Sequence, residues 1–185
     1  FALMVQAACK VPIDDTRIFQ PVRIAVLTVS DSRTLAEDKS GDALVDRITT
    51  AGHIVAERVL LRDDTGDIVA LLHRWCEDES VDCVITTGGT GVTGRDVTPE
   101  ALAALGGKDI PGFGELFRWL SYAKIGTSTI QSRACAVVSR GTYIFALPGS
   151  TGAVKDGWDD ILVHQLDSRF RPCNFVELMP RLKEV

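Results

Sequence analysis

Two unbroken apolar runs constrain the fold most: VRIAVLTV at 22–29 and DCVITT at 82–87. A strand with one wet face alternates apolar and polar residues. A run without alternation, rich in β-branched residues, belongs in a sheet covered on both faces, as parallel sheets are. The intervening sequence supplies the covering helices. Ser40 reads as a helix start, with Leu44, Val45, Ile48 and Ala51 on one face and Gly52 as the stop. HIVAERVLL at 53–61 reads as a second strand and Asp63-Asp64-Thr65-Gly66 as a turn. Ile68, Leu71, Leu72 and Trp75 form the apolar stripe of a second helix. Strands alternating with amphipathic helices are βαβ units, so the expected class is α/β with a mostly parallel sheet. Further helices are expected over 99–105 and 114–123. ACAVVS and TYIFAL flank Arg140-Gly141 as a C-terminal hairpin, which makes the sheet mixed. A last helix carries Val154, Trp158, Ile161, Leu162 and Leu166. Residues 1–20 show no period and read as an N-terminal arm packing on a neighbouring subunit. The domain proper runs over 21–170, and 171–185 read as an irregular tail.

The chain has 185 residues, 45% of them hydrophobic and 24% charged, which suits one domain with a sizeable core. A formal net charge of −5 and scattered basic residues argue against nucleic acid. An acidic chain binds phosphate only with local donors or a metal ion. The five cysteines form no C-x-x-C pair, and Cys83 and Cys135 sit in apolar runs, so buried, reduced thiols and a cytoplasmic location are expected. The three histidines lie too far apart for a zinc site. No stretch approaches the roughly 20 apolar residues of a membrane helix.

The chemistry concentrates in VITTGGTGVTGRDVTPE at 84–100. Gly89, Gly91 and Gly94 match G-x-G-x-x-G, but in a dinucleotide-binding fold the helix opens within the glycines. Here Arg95, Asp96 and Val97 intervene before Thr98 as N-cap and Pro99 at the first helical position. Gly89 to Gly94 also fits the P-loop frame, yet Arg95-Asp96 replaces its lysine and hydroxyl. Asp96 would repel a bare phosphate and welcome one carried with Mg²⁺, which one or two carboxylates plus substrate oxygens usually hold.

The loop is long for a βα connection and lies at the carboxyl end of a strand, where open α/β sheets bind ligands. The other strand ends carry Ser30-Asp31 and Asp63-Asp64, so Asp31, Asp63 and Asp96 are expected on one edge of the sheet. Asp31 and Asp64 read better as caps of turns or helices. Asp63 and Asp96 read as metal or catalytic residues. Pro148-Gly149-Ser150 before a helix offers an anion site, and Ser132-Arg133 a bidentate phosphate grip. Lys39 and Lys155 are candidates that nothing singles out. DIPGFGE at 109–115 reads as a rigid bend before a helix.

Together VSDS at 29–32, DKSG at 38–41, TTGGTGVTGRDVTPE at 86–100, IPGFGE at 110–115, Ser132-Arg133 and Leu147-Pro148-Gly149 resemble the molybdenum cofactor biosynthesis family of MoaB, MogA and the gephyrin G domain. The likeness covers roughly residues 20–170, and IGTSTIQSRA with GTYIFALPGSTGA is similar to the MoaB branch. The resemblance implies a three-layer α/β/α sandwich that assembles as a homotrimer or homohexamer. It implies transfer of AMP from Mg·ATP to molybdopterin, with a molybdenum-insertion protein as partner. By resemblance Asp63 and Asp96 are the essential, metal-holding acids. Gly88, Gly89, Thr90 and Gly91 form the phosphate loop, with Ser30, Asp31 and Thr87 beside it, and Ser132 contacts molybdopterin. Pro-Gly-Ser-Thr at 148–151 departs from the Pro-Gly-Asn-Pro of many adenylylating members. A binding or scaffold protein of the same pathway is therefore the second expectation, and a generic nucleotide hydrolase the third.

Overall fold

The computed structural model describes residues 13–184. The first apolar run forms β1 (Arg23–Val29) and the other strands are β2 (Ile54–Leu61), β3 (Cys83–Thr87), β4 (Lys108–Asp109), β5 (Cys135–Ser139) and β6 (Thr142–Leu147). They make one mixed sheet in the order β2-β1-β3-β6-β5-β4. β2, β1, β3 and β6 run parallel, while β5 is antiparallel to both β6 and β4. Arg140 and Gly141 take φ of 52° and 90°, the two left-handed residues that a tight hairpin between β5 and β6 requires.

The unbroken run of β1 is explained by its two faces. Ile24 and Val26 face a core shared with Leu44 and Ile48 of α1 (Lys39–Thr50), Phe113 and Phe117 of α4 (Pro111–Ile125) and Val154 of α5 (Thr151–Gly157). Ala25, Leu27 and Val29 face a second core with Ile68, Leu72 and Trp75 of α2 (Thr65–Glu77) and Ala101, Leu102 and Leu105 of α3 (Thr98–Leu105). The result is a three-layer α/β/α sandwich, as expected. After α5 the chain continues through a π-helical turn, Trp158–Leu162, into α6 (Val163–Gln165), and this run carries the apolar residues expected of the last helix.

Several boundaries differ from the sequence reading, each for a reason of contact. The N-cap of α1 is Asp38, which accepts from Gly41 N, and Ser40 lies inside the first turn. Thr98 is the first residue of α3 and does not cap it; its hydroxyl donates to Gly88 O at 2.9 Å, tying the glycine loop to the helix. The tail is not irregular: Asn174 caps α7 (Phe175–Leu178), whose Val176 is buried in the first core. The bend expected at 109–115 is instead the start of α4 at Pro111. Cys83 is buried, whereas Cys135 is only partly so. Residues 1–12, with Cys9, lie outside the described residues. The rest of the N-terminal arm packs on its own chain: Ile13 bridges Phe170, and Arg17 and Gln20 donate to Ser168.

Candidate functional site

The four parallel strands end level. Thr28 is opposite Thr87, Val29 opposite Leu61, and Thr87 opposite Leu147. The loops leaving these ends therefore emerge side by side. The chain steps from β1 to β2 on one side and to β3 on the other, so the cleft between β1 and β3 is a topological switch point, where such sheets bind ligands. A cavity of about 640 Å³ opens there. Of the residues singled out in the sequence, Ser30, Asp31, Asp63, Gly88, Gly89, Thr90, Gly91, Asp96, Ser132, Pro148, Gly149 and Ser150 line it.

Two expected residues are not on its wall. Thr87 is fully buried and its hydroxyl donates to Pro148 O at 2.9 Å, which fastens the last loop to β3. Arg133 spends its guanidinium on the glycine loop, donating to Gly91 O at 2.6 Å and Asp96 O at 2.8 Å and pairing with Glu100. It holds the loop from behind, and the free bidentate grip expected of it is absent. Lys39 and Lys155 are exposed and line no part of the cavity.

The aspartates take different states. Asp64 is the N-cap of α2, accepting from Asp67 N at 3.0 Å, as expected. Asp31 caps no helix. It pairs with Arg95 at 2.8 Å and accepts from Asp63 N at 3.3 Å, joining the first, second and third strand-end loops. The Arg95 hydrogen bond holds the Asp31 carboxyl below its ordinary value. Asp63 is the opposite case. Burial first, then the nearby charges of Asp31 and Asp96, push its carboxyl above the ordinary carboxylate range. Among the described residues no cation pairs with it. Burial also acts to raise Asp96, but the hydroxyl and N–H of Thr93, at 2.6 and 2.9 Å, outweigh it and hold that carboxyl low.

The glycines answer to these acids. Gly89 has φ +63°, and a methyl there would sit 2.9 Å from Asp63 Oδ1 and 2.4 Å from Thr98 Oγ1. A methyl on Gly91 would sit 2.8 Å from Asp96 Oδ2. The loop thus threads its backbone between the two carboxylates, which only glycine permits.

The far wall was not legible in the sequence. Phe117, Ser121, Lys124 and Ile125 of α4, together with Thr129, Gln131 and Asp156, also line the cavity. Their spacing marks α4 as amphipathic and gives no hint that its end faces a ligand. No group of three or more Asp, Glu, His or Cys residues able to hold a metal exists among the described residues. No described helix is long and apolar enough to cross a membrane.

A family profile described as "Probable molybdopterin binding domain" matches residues 25–168. The chain is 47% identical over 166 residues to molybdenum cofactor biosynthesis protein B of Escherichia coli K12, covering 90% of this chain and 96% of that one. A crystal structure of molybdenum cofactor biosynthesis protein B superposes with a TM-score of 0.81 at 36% identity, covering 91% of this chain and all of that one. The tungsten cofactor synthesizing protein MoaB of Pyrococcus furiosus gives 0.73 at 32% identity, over 89% and 99% of the two chains. Fold and sequence agree, and the chain belongs to the molybdopterin-binding-domain family that includes molybdenum cofactor biosynthesis protein B.

Proposed function

We propose that the chain transfers AMP from Mg·ATP to the phosphate of molybdopterin, a step of cofactor assembly in the cytoplasm. The observation that carries this reading is Asp63: a half-buried carboxylate on the cavity wall, raised by burial first and then by its acidic neighbours, with no cation paired to it among the described residues. A chain that only needed a stable loop has no use for such a group. Asp63 and Asp96 suit a magnesium ion that arrives with its nucleotide, because two carboxylates are enough only when substrate oxygens complete the shell. They would hold that ion, and it would supply neutralisation of the phosphate charge.

The chain's own groups then have positioning work. The glycine loop, pinned by Thr98 and Arg133, presents backbone to the phosphates. Ser132 and the end of α4 bound the part of the cavity where the resemblance puts the pterin. An oxygen of the molybdopterin phosphate attacks the α-phosphorus of ATP, and the bond from that phosphorus to pyrophosphate breaks. No base is needed, since the attacking oxygen is already ionised. Catalysis rests on orientation and charge, as in other phosphoryl transfers.

One observation favours a second reading, that of a carrier. Asp96 Oδ2 is already engaged by Thr93, and Ser150 caps α5 by accepting from Ala153 N at 3.2 Å, so neither is idle. The discriminating experiment supplies Mg·ATP with and without molybdopterin and follows pyrophosphate. The transferase releases it only when molybdopterin is present. A carrier binds molybdopterin and releases none, and a hydrolase consumes ATP without the pterin.

A further inference from the structure

Three cations line the cavity: Arg33, Arg95 and Lys124. Arg95 is paired with Asp31, and Lys124 with Asp156 and Asp160. Arg33 differs. Among the described residues no carboxylate lies within ion-pair distance of it, and its side chain reaches only neutral oxygens. Nη1 donates to Ser40 Oγ at 3.0 Å and to Gly149 O at 3.1 Å. Nε and Nη2 donate to no described residue.

The arginine is nevertheless held firmly. Behind it lies Asp38, whose side chain is fully buried. Asp38 accepts from Thr28 Oγ1 at 2.6 Å, Ser40 Oγ at 3.0 Å, Gly41 N at 2.9 Å and Arg58 Nη2 at 2.9 Å. An ionised carboxylate only accepts hydrogen bonds. The Ser40 proton is therefore committed to Asp38, and a lone pair of Ser40 is what faces Arg33. Asp38 pairs with Arg58, which it shares with Asp42, and makes no ion pair with Arg33. The sequence 28–40 thus delivers a guanidinium with fixed orientation and unspent charge to the cavity wall, beside the turn at Gly149.

We propose that Arg33 is the anion anchor of the cavity, taking a phosphoryl oxygen of the ligand on the guanidinium edge that Ser40 and Gly149 leave unused. Ser40 is its positioning residue, acting through Arg33 and not on the ligand. This deepens the reading of the cavity as a phosphate-ligand site and rests on it. Two sources of phosphoryl group are open to it, the nucleotide and the phosphate of molybdopterin.

The test titrates the full chain with a non-hydrolysable Mg·ATP analogue in one arm and molybdopterin in the other, at several salt concentrations. Arg33→Gln weakens binding about tenfold or more in at least one arm, the usual scale of a lost charge-assisted hydrogen bond. In that arm it also flattens the salt dependence, because one screened charge has gone. The affected arm names the phosphate. Arg33→Lys recovers part of both losses. Ser40→Ala weakens binding less and leaves the salt dependence as in wild type. Melting temperature moves by about 2 °C or less for the Arg33 variants. Unchanged affinity of Arg33→Gln in both arms overturns the proposal, and so does weaker binding with a wild-type salt dependence, since that marks a brace for Gly149 alone. A wild-type chain that binds neither ligand overturns the parent reading as well.

Discussion

At the scale of single residues, two neighbours in the sequence illustrate how position decides role. Asp63 and Asp64 follow β2 after one residue, Arg62, yet Asp64 caps a helix while Asp63 faces the cavity. The sign of the Asp63 shift makes this measurable. In the folded chain its carboxyl holds a proton to higher pH than in the unfolded chain. Between the ordinary carboxylate range, near about pH 4, and the raised value, the folded state binds more protons than the unfolded one. Stability is therefore lost as pH rises through that window, and the loss persists above it. Asp63→Asn removes this cost. The variant should melt above wild type, by a larger margin near neutral pH than near about pH 4, while losing adenylyl transfer. Equal margins at both pH values in thermal unfolding would show that charge at residue 63 is not the source. Asp96 has the opposite sign: its lowered carboxyl contributes stability above the ordinary range, lost as pH falls through its folded value.

At the scale of elements, helix caps contribute to stability while the strand-end loops carry the candidate site. Asp64→Ala removes the N-cap of α2 and should cost about 1 kcal/mol by denaturant titration, with the transfer rate unchanged. A rate loss as large as that of Asp63→Asn would place both acids in the chemistry. Which elements exist was legible because burial on both faces leaves a pattern: Ile24 and Val26 against one layer, Ala25 and Leu27 against the other, give a run no half-wet strand would show. Glycine and aspartate at strand ends were legible for the same reason of place. What escaped was everything set by contacts far along the chain. Thr98 looked like a cap until Gly88 O supplied another partner, and Arg133 looked like a phosphate grip until Gly91 and Asp96 carbonyls took it. Arg33 gave no signal at all, since its partner Gly149 lies in the last loop. β4 was missed because two residues carry no period.

At the scale of the whole molecule, one surface is out of keeping with the rest. On α4, Trp119 and Tyr122 lie one turn apart and are 61% and 59% exposed, with Ile125 beside them at 55% and Ile130 just beyond. Contiguous apolar surface of this kind is typically covered by another protein. The trimer or hexamer that the family resemblance implies would bury it. Trp119→Glu should then shift the sedimentation coefficient toward that of a monomer without unfolding the sandwich, because the side chain lies outside both cores. A variant sedimenting as wild type would move the interface elsewhere. Ile125 belongs both to this row and to the cavity wall, so assembly through this row would meet the cavity on one helix.

The adenylyl transfer proposed for the cleft rests on its two acids, Asp63 and Asp96. It is tested most directly by a single-turnover reaction of the purified chain with Mg·ATP and molybdopterin, following adenylylated product, with Asp96→Asn alongside. Wild type should form product, and the variant should lose at least about a hundredfold while its fold and molybdopterin binding persist. Product formed at equal rates by both proteins would contradict it. Molybdopterin bound by both without any product would do so as well, and would leave the chain a carrier.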